Sequence, residues 1–524
     1  MENTNFLPES GVDARRNTRY ERENAGHEMT VESTGDYVLP DYQPEIRKIL
    51  FISSELLPSS RYVSGGRAEF GGTVKHCLVY TDADNATASV ELSSDYDYAV
   101  EATGKEDTFA YTRERLFSVN CRLSGPRKLS IRAKIGATPH LISREELPMP
   151  QDTEGAELLY RETRAMECAY VEGEEAVTCE GKLDGYTAEE LRVLSSTASV
   201  AVREAKREAN GVQLRGDLLW KHLLVCDGSA PFALEGKEGF ETLICEEMPD
   251  GASIVADGYV EDMRVELENN GEEGAVARAD VALRFALTGH INRRVALCRD
   301  MYVPEKELCE KRGMLSLRTL LGTVSKSAPI TGSVSRKESD TEDATAVVDT
   351  VATVQSYEST VKKGVCTVRG ECRVRTVTAA ANDAGETLLS PTEFTVPFSV
   401  ECARLSDAKN ADVEAYVRVT SPSVTMTDDA LLFEGELSIN VIMTADTDEE
   451  CLFDAEIIGE KEAPAVSKMR IYYPEGGDTL WNVAKKYSVP LASIATVNHL
   501  SDSAAKDPAA EGSLRGISRL LIVD

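Results

Sequence analysis

The sequence predicts a mainly β protein, three repeated β-sandwich-like domains followed by a small α+β domain of βααβ order. Three observations carry that expectation. Leu50 to Gly72, Leu194 to Gly216 and Val348 to Gly370 are each 22 residues apart. Around those glycines one strand face is apolar in the same register. Phe70, Leu214 and Val368 stand two before, Val74, Leu218 and Cys372 two after, and His76, Trp220 and Val374 four after. Alternation of period two in a shared phase marks half-buried strands of one repeated unit. Near the C-terminus the period becomes helical, with Leu480, Val483, Ala484 and Tyr487 on one face.

Taken in order, residues 1–30 are polar and aperiodic and read as a flexible tail. The first repeat spans 31–150, the second 151–310 and the third 311–459, a period of roughly 145–155 residues that is domain-sized rather than solenoid-sized. In each, a glycine in mid-strand predicts a bulge or a close backbone approach at the same place. Each copy continues with a further strand (88–92, 232–234 and 393–400). Two long strands follow in each: 109–123 with 129–135, 255–268 with 275–288, and 411–419 with 431–443. Many strands with Gly, Asn and Asp at the turns argue a sandwich. Only 152–169 and 304–308 read as upstream helices. Residues 460–468 read as a linker.

The last domain, 469–524, has apolar strands at 469–473 and 519–523 around two short helices. Asp478 or Thr479 can cap the first helix by accepting from its free N–H groups. Pro490 suits the first turn of the second, where Leu491, Ile494 and Val497 are expected to face inward before Asn498 ends it. Trp481 and Tyr487 are expected to pack on the helix rather than stack on a ligand.

Composition bounds function. A formal net charge of −32 argues against nucleic acid, which needs clustered Lys and Arg, and against anionic lipid. From Met469 on, six basic residues balance six acidic ones, so the excess lies upstream. The N-terminus lacks a basic patch and apolar run, and no window reaches eighteen apolar residues, so the expectation is cytoplasmic synthesis without signal peptide or membrane insertion. Twelve scattered cysteines without a Cys-x-x-Cys pair read as buried reduced thiols.

Chemistry-bearing motifs are sparse. The six histidines (27, 76, 140, 222, 290 and 499) are far apart, without zinc spacing, and His76 and His222 read as hydrogen-bonded core residues. The acidic stretches 82–85 and 446–450 lack the glycine and distal carboxylate of a calcium loop and read as solvated hairpin turns. There is no nucleophile elbow, Walker loop or dinucleotide fingerprint. No catalytic residue, metal or cofactor is therefore expected. Arg47 with Glu45 could join an inter-repeat contact, an exposed pair being the plainer reading. Edge strands leave self-association by strand addition physically available.

Two resemblances sharpen this. Gly477-Asp478-Thr479-Leu480-Trp481, a helix ending Lys485-Lys486-Tyr487, Val489-Pro490 and a second helix closing on Asn498-His499-Leu500 resemble a LysM domain. That resemblance implies a βααβ module binding N-acetylglucosamine glycans such as peptidoglycan or chitin. It places the binding loops at Gly477, Asp478, Thr479 and Leu480 and at Asn498, His499 and Leu500. The chain departs from the pattern in a polar insert, 501–516, and in lacking Pro-Gly before the last strand. Leu39-Pro40-Asp41-Tyr42-Gln43-Pro44-Glu45-Ile46-Arg47-Lys48-Ile49-Leu50, followed by β-rich copies and that terminal domain, is similar to tandem SPOCS-domain proteins of endospore formation in Firmicutes. The architecture resembles that of clostridial spore-coat morphogenesis. It implies a mother-cell cytoplasmic protein recruited to the forespore surface, with a coat basement-layer ATPase as partner. Two classes stay open: a non-enzymatic assembly protein, its LysM reading glycan or protein, and a peptidoglycan hydrolase with an unfamiliar catalytic domain.

Overall fold

The same six-strand plan is drawn three times. The computed structural model describes residues 19–102, 108–148, 150, 154–226, 229–270, 274–381, 387–404, 410–461, 469–500, 507–510 and 513–523. The second module is the plainest copy. Strand β9 (Glu157–Asp184) leads into a meander of β10 (Leu191–Glu208), β11 (Gly211–Cys226) and β12 (Phe232–Ile244), and a hairpin of β13 (Ser253–Asn269) and β14 (Gly274–Tyr302) closes it. The meander is one sheet, with β11 central. The hairpin and β9 are the other, with β14 central. In the third module β15 (Lys306–Ser335), β16 (Ala346–Lys362), β17 (Val365–Ala381), β18 (Thr387–Arg404), β19 (Ala411–Met426) and β20 (Ala430–Glu460) take the same places. In the first, the opening strand is split into β1 (Arg19–Ala25) and β2 (Met29–Val38), both on β8 (Lys128–Glu146) beside β7 (Phe109–Gly125). Its meander has β3 (Lys48–Leu56) and β4 (Ser60–Ser64) on one side of β5 (Arg67–Thr81) and β6 (Thr87–Glu101) on the other.

The nine residues that flank the repeated glycines are all buried, as the shared phase requires. The glycines themselves are explained by the neighbouring strand. Gly72, Gly216 and Gly370 lie directly across from Tyr96, Phe240 and Phe398. A Cβ would meet the Tyr96 hydroxyl at 2.5 Å and the Phe240 and Phe398 rings at 2.5 and 2.7 Å, with the carbonyl oxygens of Ala201 and Ser356 nearer still in the last two. An aromatic side chain folds over the glycine in every copy, and that close approach is why the position carries no side chain.

The other anchor of the repeat is a bulge. Leu50, Leu194 and Val348 each interrupt the ladder register at the same point. Bulges re-aim side chains, and these three meet. With Val79, Leu223 and Val377 from the central strands they form one apolar cluster shared by all three modules. The modules thus close into a ring about a pseudo-threefold axis. Arg192 of β10 donates to Thr87 O at the start of β6 (3.3 Å), and Lys48 of β3 donates to Leu389 O of β18 (3.0 Å). The third junction sets β16 against β12.

Several expectations need correction. Arg19–Ala25, within the stretch read as a flexible tail, is a strand antiparallel to residues 140–146. Its own sequence is polar, and pairing comes entirely from β8. Residues 152–169 hold no helix where they are described: β9 pairs with β14 along its whole length, and tertiary pairing overrides local helix preference. Residues 304–308 hold no helix: 304 and 305 form a turn and 306–308 open β15. The stretch 446–450 is no hairpin turn but the middle of β20, paired with β15, with Asp446 on Arg318 at 3.1 Å. The turn at 82–85 is one, Asp82 Oδ1 accepting from Asp84 N and Ala86 N.

The segment Gln43-Pro44-Glu45-Ile46-Arg47 crosses between the two sheets of the first module. Ile46 is buried, and Tyr80 Oη donates to Gln43 and to Pro44 O. Arg47 bonds Asn85 of its own module at 2.9 Å, not another repeat. The third module bridges the same gap with Arg336, which donates to the carbonyls of Thr341, Glu342 and Ala344.

Candidate functional site

The C-terminal domain comprises β21 (Met469–Tyr472), α1 (Leu480–Tyr487), α2 (Leu491–Val497) and β22 (Leu520–Val523), the two strands antiparallel. Helix α1 begins where expected. Thr479 is its N-cap, the Oγ1 accepting from Asn482 N at 3.2 Å. Asp478 does other work: its carboxylate accepts from Tyr472 Oη and Glu475 N, and the hydrogen bond from Tyr472 holds it below the usual carboxylate range. Leu480, Trp481, Val483 and Ala484 are buried. Ser488, in the left-handed region at φ 55°, ends the helix. In α2, Leu491 and Ile494 face inward but Val497 does not, being 38% exposed. Asn498 closes the helix by clamping it to the last strand, donating to Leu521 O (2.7 Å) and accepting from Leu521 N (2.6 Å).

The seven predicted binding residues therefore divide. Gly477 and His499 are exposed, both at positive φ, and Asp478 and Leu500 are half-buried. Thr479 and Asn498 spend their side chains on caps and clamps, while Leu480 lies in the domain core. Sequence reasoning did not foresee what the insert does. Ser513 Oγ accepts from Leu480 N (3.0 Å), Pro508 O accepts from Trp481 N (2.8 Å), and Leu514 is buried beside them. The free N–H groups at the start of α1, an obvious feature for a ligand to use, are taken by the chain itself.

The domain is also seated on the β ring. Trp481 packs edge-on against Tyr302 at 5.1 Å between centroids, and its Nε1 donates to Asp300 (2.7 Å). Lys485 donates to Asp300 (2.6 Å) and Glu310 (2.8 Å), and Arg312 binds the same two carboxylates. Burial alone would raise the Asp300 carboxyl. The hydrogen bonds from Lys485 and Trp481, with the charges of Lys485 and Arg312, outweigh it and hold the group below the ordinary carboxylate value. Tyr302 Oη donates to Val489 O and Glu157 accepts from Leu491 N. Trp481 is thus a packing residue, as expected, but packs on a neighbour as much as on its own helix.

With that geometry in place, comparison with protein families adds one finding. Residues 476–505 match the LysM domain. The C-terminal domain is a LysM domain. The match covers both helices and stops in the insert, where the chain departs from the pattern. Comparison with curated proteins and with solved structures gives no significant match. Members of the LysM family bind peptidoglycan and related N-acetylglucosamine glycans, so the LysM loops Gly477–Leu480 and Asn498–Leu500 are the candidate site.

Elsewhere, His76 and His222 sit in the cores as hydrogen-bonded residues, on Ser54 (2.7 Å) and Ser196 (2.9 Å), and burial pushes each down to about 4. All twelve cysteines are free thiols, with Cys245 and Cys309 exposed. Among the described residues no three His, Cys, Asp or Glu side chains converge as metal ligands, and no helix is long and apolar enough to cross a membrane.

Proposed function

We propose that the chain is a non-enzymatic assembly protein of the spore envelope, a ring of three sandwiches carrying a LysM head that recognises peptidoglycan-type glycan. The observation that carries the reading is the LysM match on a domain fixed, by Trp481 and Lys485, to one end of a large β scaffold. Such a seat gives the binding loops a defined direction relative to the ring. A glycan here would be read by the backbone of Gly477 and Asp478 and by the His499 imidazole, since Thr479 and Asn498 are committed elsewhere. Sporulation and coat assembly rest on the SPOCS resemblance of the repeats, as does a mother-cell cytoplasmic protein recruited to the forespore.

A second reading, a coat morphogenetic protein as the LysM partner, is favoured by one feature: the insert has already taken the Leu480 and Trp481 N–H groups. Sedimentation of the full chain with purified peptidoglycan separates the two. Retention that falls on His499→Ala supports glycan, and no retention leaves the protein partner. A fluorescent fusion that stayed diffuse throughout sporulation would defeat both.

A further inference from the structure

The meander sheets of the three modules meet through hydrocarbon. The hairpin sheets meet through polar groups, and these contacts cross from module to module. His140 Nε2 of β8 lies 2.7 Å from Glu414 Oε1 of β19. Arg113 of β7 donates to Thr288 of β14 (2.7 Å), and its guanidinium lies 4.0 Å from the centre of the Tyr416 ring of β19. Asn440 of β20 donates to Asp257 of β13 (3.1 Å). Arg418 of β19 donates to Gly258 O (2.8 Å) and covers the Tyr259 ring of the same strand β13. The first module thus brings Arg113 and His140 to this cluster, the second Asp257, and the third Glu414 and Arg418.

The chain itself joins the first module to the second and the second to the third. Nothing covalent returns from the third to the first, so that junction is closed by packing and side chains alone. Its polar part depends on Glu414. Arg113 is buried, and its Nη1 makes no hydrogen bond among the described residues. Burial would lower the Arg113 guanidinium, but Tyr111, Asp257 and Glu414 outweigh it and keep the group raised. Arg418 works against Arg113 across the cluster, each cation disfavouring the other. A buried cation with an unused donor is held by the field of nearby carboxylates, and removing one of them costs far more than at a surface.

Around Glu414, His140 stands on β8 and Arg113 on β7. Arg115, also on β7, is paired with Glu28 and covers Tyr357 of β16 at 4.3 Å. On its own strand lie Tyr416 and Asp412, the latter held by Arg318 of β15 at 3.6 Å. The Glu414 side chain is 26% exposed, so a proton reaches it from solvent. While ionised, it draws the first and third modules together. Once it is protonated, and the pairs Arg115–Glu28 and Arg318–Asp412 are set aside, Arg113 and His140 on one module face Arg418 on the other. Attraction becomes repulsion, so this contribution is present at neutral pH and lost as pH falls. The hydrocarbon between the meander sheets does not titrate. We propose that the junction of the first and third modules is an acid-sensitive clasp, whose hairpin sheets part on protonation of Glu414 while the apolar cluster keeps the meander sheets together.

Hydrogen–deuterium exchange of the full chain, read by mass spectrometry at about pH 7 and pH 4 and corrected for intrinsic rates, tests this. Strands β7 and β19 are sheet edges, so part of their backbone faces the junction. Segments 109–117 and 411–417 should lose protection about tenfold or more at the lower pH. Segments 48–56 and 387–392, joined by Lys48 beside the apolar cluster, should keep theirs. Glu414→Gln retains an acceptor for His140 without the charge, and should lose that protection already at neutral pH with no further loss in acid. Adding Arg113→Gln to it should restore protection, since the opposed charge is gone. Unchanged protection of 109–117 and 411–417 in the parent would overturn the proposal, and that comparison decides even if a variant fails to fold. Equal loss at 48–56 would overturn it too, because the ring would then be unfolding as a whole. So would a Glu414→Gln chain that follows the parent at both pH values, or a double variant that stays unprotected. None of these segments belongs to the LysM domain, so glycan retention is judged separately.

Discussion

The axis of the ring and the seat of the LysM domain both join parts of the chain far apart in sequence, with opposite chemistry. On the axis Leu50, Leu194, Val348, Val79, Leu223 and Val377 meet as hydrocarbon. At the seat, one aromatic pair is surrounded by Asp300, Glu310, Arg312 and Lys485. Apolar contact is non-directional and indifferent to pH. Charge-assisted hydrogen bonds fix direction and depend on ionisation. The ring is built to stay closed, and the seat to hold one orientation.

The largest effects should come from the axis. Leu223→Ala removes a buried side chain shared by three modules and should cost about 2–5 kcal/mol. Because the cluster is common, calorimetry should show the whole ring melting earlier as one transition. A shift confined to one of several separate transitions would mean that the modules do not support one another. Leu480→Ala should cost as much within the LysM domain, whose core includes Tyr302 and Leu159 of the second module, so it is measured in the full chain.

Asp300→Ala comes next. It leaves the Trp481 Nε1 without its acceptor and Lys485 and Arg312 with Glu310 alone, and with those two cations about a third exposed the cost should be about 2 kcal/mol. The LysM domain should become susceptible to proteolysis while the ring does not. The Asp300 carboxyl is depressed in the folded protein. Its stabilisation is therefore complete above the ordinary carboxylate value and lost as pH falls through the lower folded one.

Glu55 should respond in the opposite sense. Burial raises its carboxyl to about 7, against lowering by Lys75 and by the Ala198 N–H. A raised carboxyl is easiest to keep folded when protonated, so stability should decline as pH rises from about 4.5 through 7. Glu55→Gln keeps an acceptor for Ala198 N and removes the charge. It should stabilise the ring by about 1–2 kcal/mol at pH 8 and leave it unchanged below pH 4.5, where the carboxyl is protonated in both states. Equal melting of the variant and parent at both values would show that the first junction does not feel this carboxylate.

What could be read from the sequence follows from the same contrast. Phe70, Val74 and His76 and their counterparts repeat because a sandwich interior demands alternation, so strands and repeat number were legible. The glycines signalled a close approach, though not the aromatic rings that cause it. The axis was hidden. Leu50, Leu194 and Val348 gave the 22-residue spacing, but nothing local shows that a bulge turns them outward toward one another. Residues 157–169 carry Leu, Glu, Arg and Ala at densities that suit a helix, and only the partner strand β14 decides otherwise. At the LysM domain the turn chemistry of Thr479 and Asn498 was readable, whereas the seat depends on Asp300, 181 positions from Trp481.

The smallest effect tests whether cap and seat act together. Thr479→Ala removes the acceptor for Asn482 N and should cost about 1 kcal/mol. Trp481 and Lys485 lie on the first and second turns of the same helix, and both are anchored by Asp300. Two constraints on eight residues should not be independent. Once Asp300→Ala frees the outer face, the frayed first turn has less to hold it, and losing the cap should cost more than it does alone. A double-mutant cycle should give a coupling of about 0.5 kcal/mol or more. Strict additivity would mean that α1 is stabilised by its own domain, and that the seat orients the LysM head without supporting its fold.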